Sequence, residues 1–492
     1  MTQAPTVLEI FPTQPPKTSQ KQLLTIFWCA AIGLLIYEVY FSPVKELLSE
    51  IGAVLVTIAA LIPMYLWCAG LALGIPIFPM FGVSFIWTYA LPLINGFPNV
   101  MKYSPGAHFF AGATVAGFLV LGTFIWYEHV KTAPKSPAVY RALQDRKGDQ
   151  FFLAALTASV VFGVLNAAKL LGGLGSFYPI VRSGALGLTA ISTFVLCYRL
   201  GTRSFPNRQI GTVVLLIVSF MAIDALSFLL VGAASVAMVA IAAYTIGRKR
   251  VPIATIAVLF AILTFLNYGK SEMREKYWFS GNQPTVTPLQ YAAVYGEWAE
   301  SSFKFIQRRE AQLETEDRSF SERASVVQML LLAQQKSPET VPYLMGQTYA
   351  IIPQILVPRI LVENRIRAQQ GTHMLSIHYG LQTEEETLTT SISWGLLAEA
   401  YGNFGLFGCG GLAIVLGTFY GKVTRWSINA PLLSLRSLFT VLLVTFAFQT
   451  EWTAGTYLAA LAQTSYFLIG IALVFMENYR VPRTSYFIQF DQ

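Results

Sequence analysis

Twelve apolar runs of 18 residues or more leave this chain few folds to choose from. They lie at roughly 23–42, 50–74, 78–97, 107–128, 150–171, 177–199, 210–228, 230–247, 251–268, 404–421, 432–450 and 455–476. Each is long enough to cross the hydrocarbon core of a bilayer as a helix. That core holds no water to satisfy backbone groups, so only helices or a closed barrel can span it, and runs of this length select helices. Composition agrees. Charged residues are 12% of the 492, where soluble proteins carry about 25%, and hydrophobic residues reach 54% with a mean hydropathy of +0.53. A soluble surface cannot be built from so few charges. The expected fold class is all-α, a polytopic integral-membrane bundle of about twelve transmembrane helices.

The first 22 residues, rich in Pro, Thr and Gln, read as a disordered tail. The run after them has no small-residue cleavage site, which predicts a retained anchor rather than a signal peptide. Orientation follows from Lys and Arg. With the N-terminus in the cytoplasm, 18 basic residues fall in inner segments and 4 (Lys45, Lys102, Lys169 and Arg182) in short outer ones. This bias predicts that both termini are cytoplasmic. It also accounts for the net charge of +8, so no nucleic-acid partner is implied. Cys29, Cys68, Cys197 and Cys409 sit inside apolar runs with no CxxC pair and no neighbouring His, as small buried apolar residues do.

The remaining 12 basic residues share one segment, 269–391, with 14 acidic ones, and the threading puts that segment outside. It is too long for a connector. Amphipathic helices are expected in it: one over 321–335, containing VVQMLLLAQQ, and one over 341–362, broken by Pro353 and Pro358 and suited to a membrane surface. The predicted order is therefore a 1–22 tail, helices 1–9 over 23–268, a large helical outer loop over 269–391 between helices 9 and 10, a re-entry segment with helices 10–12 over 392–476, and a cytoplasmic 477–492 tail.

Charges inside spans are costly and mark function or pairing. Glu38, Lys169, Arg182, Asp224 and Glu399 all fall toward the outer side, and Arg436 is the clear inner exception. Snorkelling to the interface accounts for Glu38 and Lys169; for Arg182 and Asp224, function or pairing is the stronger expectation. The chain has no GxxxxGK[ST] phosphate loop, no DxD pair and no HExxH, and its histidines are His108, His129, His373 and His378. No metal site and no cofactor are therefore expected. The outer region does hold Arg323, Arg359, Arg365 and Arg367, whose guanidinium groups match phosphate oxygens and suit a lipid-linked pyrophosphate. Gly402, Gly405, Gly408 and Gly411 recur every three residues, and Gly417 and Gly421 form a GxxxG pair, so close helix packing is expected there. The acidic run 384–386 reads as a solvated patch.

Two stretches carry a resemblance. The first reads VPYLMGQTYAIIPQILVPR and the second AEAYGNFGLFG. Their order resembles the oligosaccharide repeat-unit polymerases of bacterial surface polysaccharide assembly, the O-antigen polymerase-like family. In that family a P-x-x-x-G-x-(S/T)-Y … (I/V)-P-R stretch in the large outer loop precedes a G-E-x-Y-x-N-F-G-x-x-G helix start. Pro342, Gly346, Tyr349, Pro358 and Arg359 match the first part; Glu399, Tyr401, Asn403, Phe404, Gly405 and Gly408 match the second. Ala398 stands in place of the glycine before the Glu, and Glu363-Asn364-Arg365 in place of a Lys-Pro after the Pro-Arg element.

The resemblance implies a GT-C-like membrane glycosyltransferase of the bacterial inner membrane, acting on undecaprenyl-pyrophosphate-linked glycans at the periplasmic face. An acceptor sugar hydroxyl attacks the anomeric carbon of the donor glycan, and lipid pyrophosphate leaves. The protein must take a proton and stabilise charge on the leaving group. The expected base is Glu399, then His373 or His378; the alternative for Glu399 is a structural role, bonding Asn403 or backbone groups where the chain re-enters the membrane. Arg182, Arg323 and Arg359, with Arg365 or Arg367, are expected on the pyrophosphate, supported by Asp224, Tyr401 and Asn403. The implied partners are lipid-linked donor and acceptor, membrane lipids, and the flippase and chain-length regulator of the same pathway. An O-antigen ligase with the same donor, a polysaccharide transporter or flippase, and a non-catalytic scaffold are the alternatives.

Overall fold

The structure, a computed structural model, describes residues 17–135, 139–143, 145–202, 207–228, 230–248, 250–279, 286–311, 325–357 and 366–480. In chain order the principal elements are α1 (Lys17–Ile36), α2 (Leu47–Cys68), α3 (Ile77–Phe85), α4 (Pro105–Val130), β1 (Val139–Ala142), α5 (Asp145–Ala167), α6 (Tyr178–Gly201), α7 (Asn207–Ala225), α8 (Leu230–Arg248), α9 (Ile253–Arg274) and α10 (Tyr291–Ala311). There follow α11 (Val327–Lys336), α12 (Gln370–His378), α13 (Leu396–Ser427), α14 (Leu435–Ala447), α15 (Ala454–Phe475) and β2 (Glu477–Arg480). Among the described residues, eight helices are long and apolar enough to cross a membrane and four more are apolar but shorter. Together they fall on the twelve apolar runs. The chain is an all-α membrane protein with one added element, a two-stranded ribbon of β1 and β2.

The chain forms two compact units: residues 1–141, 318–469 and 478–492 make the first, and residues 142–317 and 470–477 the second. The 269–391 segment is thus divided between them. The first unit is built where glycines let backbones meet. A Cβ on Gly112 of α4 would lie 2.6 Å from the Cα of Gly52 on α2, and one on Gly417 of α13 would lie 2.7 Å from the Gly122 carbonyl of α4. The expected packing role of the Gly417/Gly421 pair therefore holds, since Gly421 meets His129 of the same helix. Around this contact Phe78, Phe81, Phe85, Phe118, Trp126 and Tyr420 form a continuous aromatic core. In the second unit Gly201 of α6 meets the Tyr244 carbonyl of α8, and the Gly269 amide of α9 donates to the Ser302 hydroxyl of α10 at 3.1 Å.

Several sequence expectations need correction. α1 starts at Lys17, inside the stretch read as a disordered tail; residues 1–16 lie outside the described residues. The ninth span reaches Tyr277 rather than ending near 268, because Tyr268 and the residues after it continue the helix. The 477–492 segment opens as a strand, not a plain tail. The 321–335 expectation resolves to α11, and residues 321–324 lie outside the described residues. Val327, Met329, Leu330, Leu331, Leu332 and Ala333 are all buried, so α11 is a core helix and not an amphipathic surface one. Residues 329–333 are consecutive apolar side chains that go all the way round the helix, and all are buried. The 341–362 stretch is two short helical turns, Gln347–Ala350 and Ile352–Leu356, because Pro353 interrupts it; residues 358–362 lie outside the described residues. Cys29 is exposed on α1, unlike the three buried cysteines. Arg436, the inner exception, is held between the rings of Tyr140 and Trp426, at 5.4 and 5.3 Å.

Candidate functional site

α13 is not one helix. Phe404 (φ −142°, ψ 16°) and Gly405 (φ 61°, ψ −143°) leave helical geometry and divide it into a short leading segment and a long one. Gly405 takes a left-handed backbone that a side chain would strain. The break leaves carbonyls without helical partners, and the chain at 344–346 supplies them. Leu344 N donates to Gly402 O at 3.0 Å, and Met345 N to Asn403 O at 3.1 Å. Gly346 N donates to the Asn403 side-chain oxygen at 3.0 Å. Asn403 Nδ2 in turn donates to Glu399 O (2.8 Å) and to the Thr348 hydroxyl (2.9 Å). The expected glycine packing ladder is corrected here. Gly405 makes the break, Gly408 closes against the Ala400 carbonyl across it, and Gly411 faces open space.

Ring contacts fix the two stretches further. Tyr349 stacks on Phe404 with centroids 6.3 Å apart, and Tyr343 lies edge-on to Tyr401 at 6.3 Å. Gly346 (φ +88°) has no room for a side chain, since its Cβ would meet Phe404 at 3.0 Å. His378 Nε2 hydrogen-bonds Pro342 O at 2.8 Å, tying α12 to the start of the first stretch. That nitrogen is therefore the donor, and His378 is committed to holding the loop. Tyr379 bonds Ser337 Oγ at 2.8 Å and packs on Trp394, whose indole N–H donates to Ser376 Oγ at 3.0 Å. Thr348, Tyr343, Ser376 and Trp394 were not anticipated; Thr348 alone had a signal, as the hydroxyl position of the first stretch.

Glu399 is completely buried at this junction. Its Oε2 accepts the Ala454 amide, the first residue of α15, at 2.6 Å. A carboxylate suits this place, where the helix start presents unpaired N–H groups and positive charge. Oε1 lies beside Thr348 and Gly371, without a well-formed hydrogen bond. Thr372 and Thr453 bond each other at 2.9 Å, and Thr456 donates to Ala368 O at 3.2 Å, so the starts of α12 and α15 are joined beside the carboxylate. The Glu399 charge also helps push the Tyr349 hydroxyl well above its usual range, after the larger effect of burial.

His373 is 6% exposed, and its Nε2 has no hydrogen-bond partner. Burial, and then the charge of the exposed Arg367, lowers its pKa below the usual histidine value. The ring is thus neutral at pH 7, with one nitrogen uncommitted. Arg367, His373, His378, Glu399, Tyr401 and Asn403 all belong to the first unit. Arg323, Arg359 and Arg365, together with Pro358, lie outside the described residues.

Arg182 and Asp224 belong to the second unit. There Arg182 is exposed and is the cation that acts on Asp224. The Ala233 amide, in the first turn of α8, donates to the same carboxylate, and Gly232 leaves it the space to do so. Among the described residues no group of three or more His, Cys, Asp or Glu side chains is arranged to hold a metal ion.

No family model, no curated protein and no solved structure matches the chain.

Proposed function

We propose that the chain is an integral-membrane glycosyltransferase with a lipid-pyrophosphate donor, joining lipid-linked oligosaccharide repeat units at the outer face of the bacterial inner membrane. One observation carries this reading. The two stretches that resemble the repeat-unit polymerases dock on each other at the break in α13 through Leu344, Met345, Gly346 and Asn403, with Gly346 and Asn403 57 positions apart in sequence. Their residue types suit the docking: glycine at the left-handed positions 346 and 405, the Thr348 hydroxyl that accepts from Asn403, and the Asn403 amide that bridges both stretches. The proposal includes twelve spans with both termini cytoplasmic, in a GT-C-like arrangement. The ribbon between β1 and β2 supports it, since that threading puts both strands on the cytoplasmic side.

The chemistry then divides among few groups. The acceptor hydroxyl gives its proton to His373, whose neutral state suits a base and whose buried Nε2 lacks a hydrogen-bond partner. A bond forms from that oxygen to the anomeric carbon as the bond to pyrophosphate breaks. Arg323, Arg359, Arg365 and Arg367 take up the charge on the leaving group. Glu399, bonded to the start of α15, positions the break rather than accepting the proton. In cells lacking the native copy, Arg359→Ala and Arg367→Ala are expected to shorten or abolish the surface glycan ladder. Unchanged polymer length and yield in both variants would remove the cationic clamp.

A further inference from the structure

Glu38 takes no part in that chemistry, and its surroundings are of a different kind. It lies in a π-helical turn, Tyr37–Phe41, that continues α1 within a candidate membrane span. Tyr37, Val39, Tyr40 and Phe41 around it face outward, yet Glu38 is 0% exposed. Snorkelling, the sequence expectation, is therefore wrong for this residue: the wider π turn directs the side chain onto α2 instead. π turns of this sort recur at functional positions. The Thr57 hydroxyl of α2 donates to Oε1, and Oε2 has no hydrogen-bond partner.

The neighbouring ionisable groups do not neutralise it. Lys45, Glu46 and Glu50 lie where the chain turns into α2, and the Lys45 ammonium donates to the Val39 carbonyl at 3.1 Å. Tyr37, adjacent in the turn, bonds the Asn95 side chain at 3.2 Å. Among the described residues none forms an ion pair with Glu38. A metal cation would need about six oxygens; two carboxylate oxygens and one hydroxyl fall short of that. By contrast the buried His108 of α4, packed against α2, is fully engaged, bonding Ser49 Oγ at 2.7 Å and Val100 O at 2.9 Å.

An ionised carboxylate with a bare oxygen is strongly disfavoured in such a place, whereas a neutral acid is tolerated. We propose that Glu38 is a proton-binding site within the membrane-spanning part, its neutral form having Oε1 accepting from Thr57 and Oε2 carrying the proton. The proposal is independent of glycosyl transfer and stands or falls on Glu38 alone.

The test is infrared spectroscopy of the purified full-length protein in lipid nanodiscs at pH 7, with the wild type, Glu38→Gln and Thr57→Val compared. The expected result is a carboxylic-acid carbonyl band that is absent in Glu38→Gln. In Thr57→Val, which keeps the carboxyl but removes its donor, the band should move to higher frequency. Dicyclohexylcarbodiimide, which reacts with protonated carboxyls in apolar surroundings, should modify the Glu38 peptide in the wild type and lose that reaction as pH rises. A wild-type spectrum lacking the band, or one unchanged by both substitutions, would overturn the proposal. The Thr57→Val readout keeps the test decisive if Glu38→Gln fails to fold.

Discussion

Asn403 uses its whole side-chain amide at the break in α13, donating to Glu399 O and Thr348 and accepting from Gly346 N. Glu399, one turn earlier, anchors α15 through a single amide. That amide needs an acceptor but not a charge. Glu399→Gln is therefore expected to keep most of the thermal stability, while Glu399→Ala should lose roughly 1–3 kcal/mol by leaving a buried donor unpaired; melting of the two detergent-purified variants compares them. His373 gives a pH signature. Its folded pKa lies below the unfolded value of about 6.5, so the folded state binds fewer protons. Its contribution to stability is intact above that value and is lost as pH falls from there toward the folded pKa. The wild-type melting temperature should drop over that window more steeply than that of His373→Gln, and equal slopes would mean the ring is not held neutral. At this scale the sequence was informative where a motif named the residue, as with Glu399 and Asn403. It was silent where burial depends on a partner helix: nothing around Glu38 in the chain announces that a π turn will direct it at Thr57.

Helices were legible in the sequence and their interruptions were not. Twelve apolar runs became apolar helices because backbone satisfaction in lipid allows little else. The error at α11 has the same origin, since a run of consecutive apolar residues looks alike whether lipid or protein covers it. The glycines of α13 show the limit most clearly. Spacing alone suggested one packing face, yet Gly417 and Gly421 pack on α4 while Gly405 breaks the helix. What separates them is backbone conformation, and identical side chains cannot report that. Gly405→Ala is expected to cost about 1–2 kcal/mol, from strain at φ 61° and from contact with the Tyr343 hydroxyl. Gly411→Ala, in open space on the same helix, should be neutral or slightly stabilising. Proteolysis or thermal melting of the pair checks the difference, and equal behaviour would mean that the break is not fixed by Gly405.

For the whole molecule, charge placement carried the most information. On the proposed threading the net +8 follows the inner loops, and the minority of charges that depart from the pattern mark the places of interest: Arg182 with Asp224 in one unit, Glu399 and Arg367 in the other. The sequence did not reveal that the large 269–391 segment is shared between two units, because that division is set by contacts distant along the chain. Nor did it reveal the ribbon joining residues 139–142 to 477–480, four-residue strands too short for a periodicity signal. The function proposed for the molecule rests on transfer between two lipid-linked glycans without nucleotide or added cofactor. Its most direct measurement offers the purified protein synthetic undecaprenyl-pyrophosphate-linked repeat units and resolves the products by length. The account predicts a ladder of longer lipid-linked glycans with release of lipid pyrophosphate, and its loss in folded His373→Gln. Repeat units left at their starting length by folded wild-type protein would contradict it.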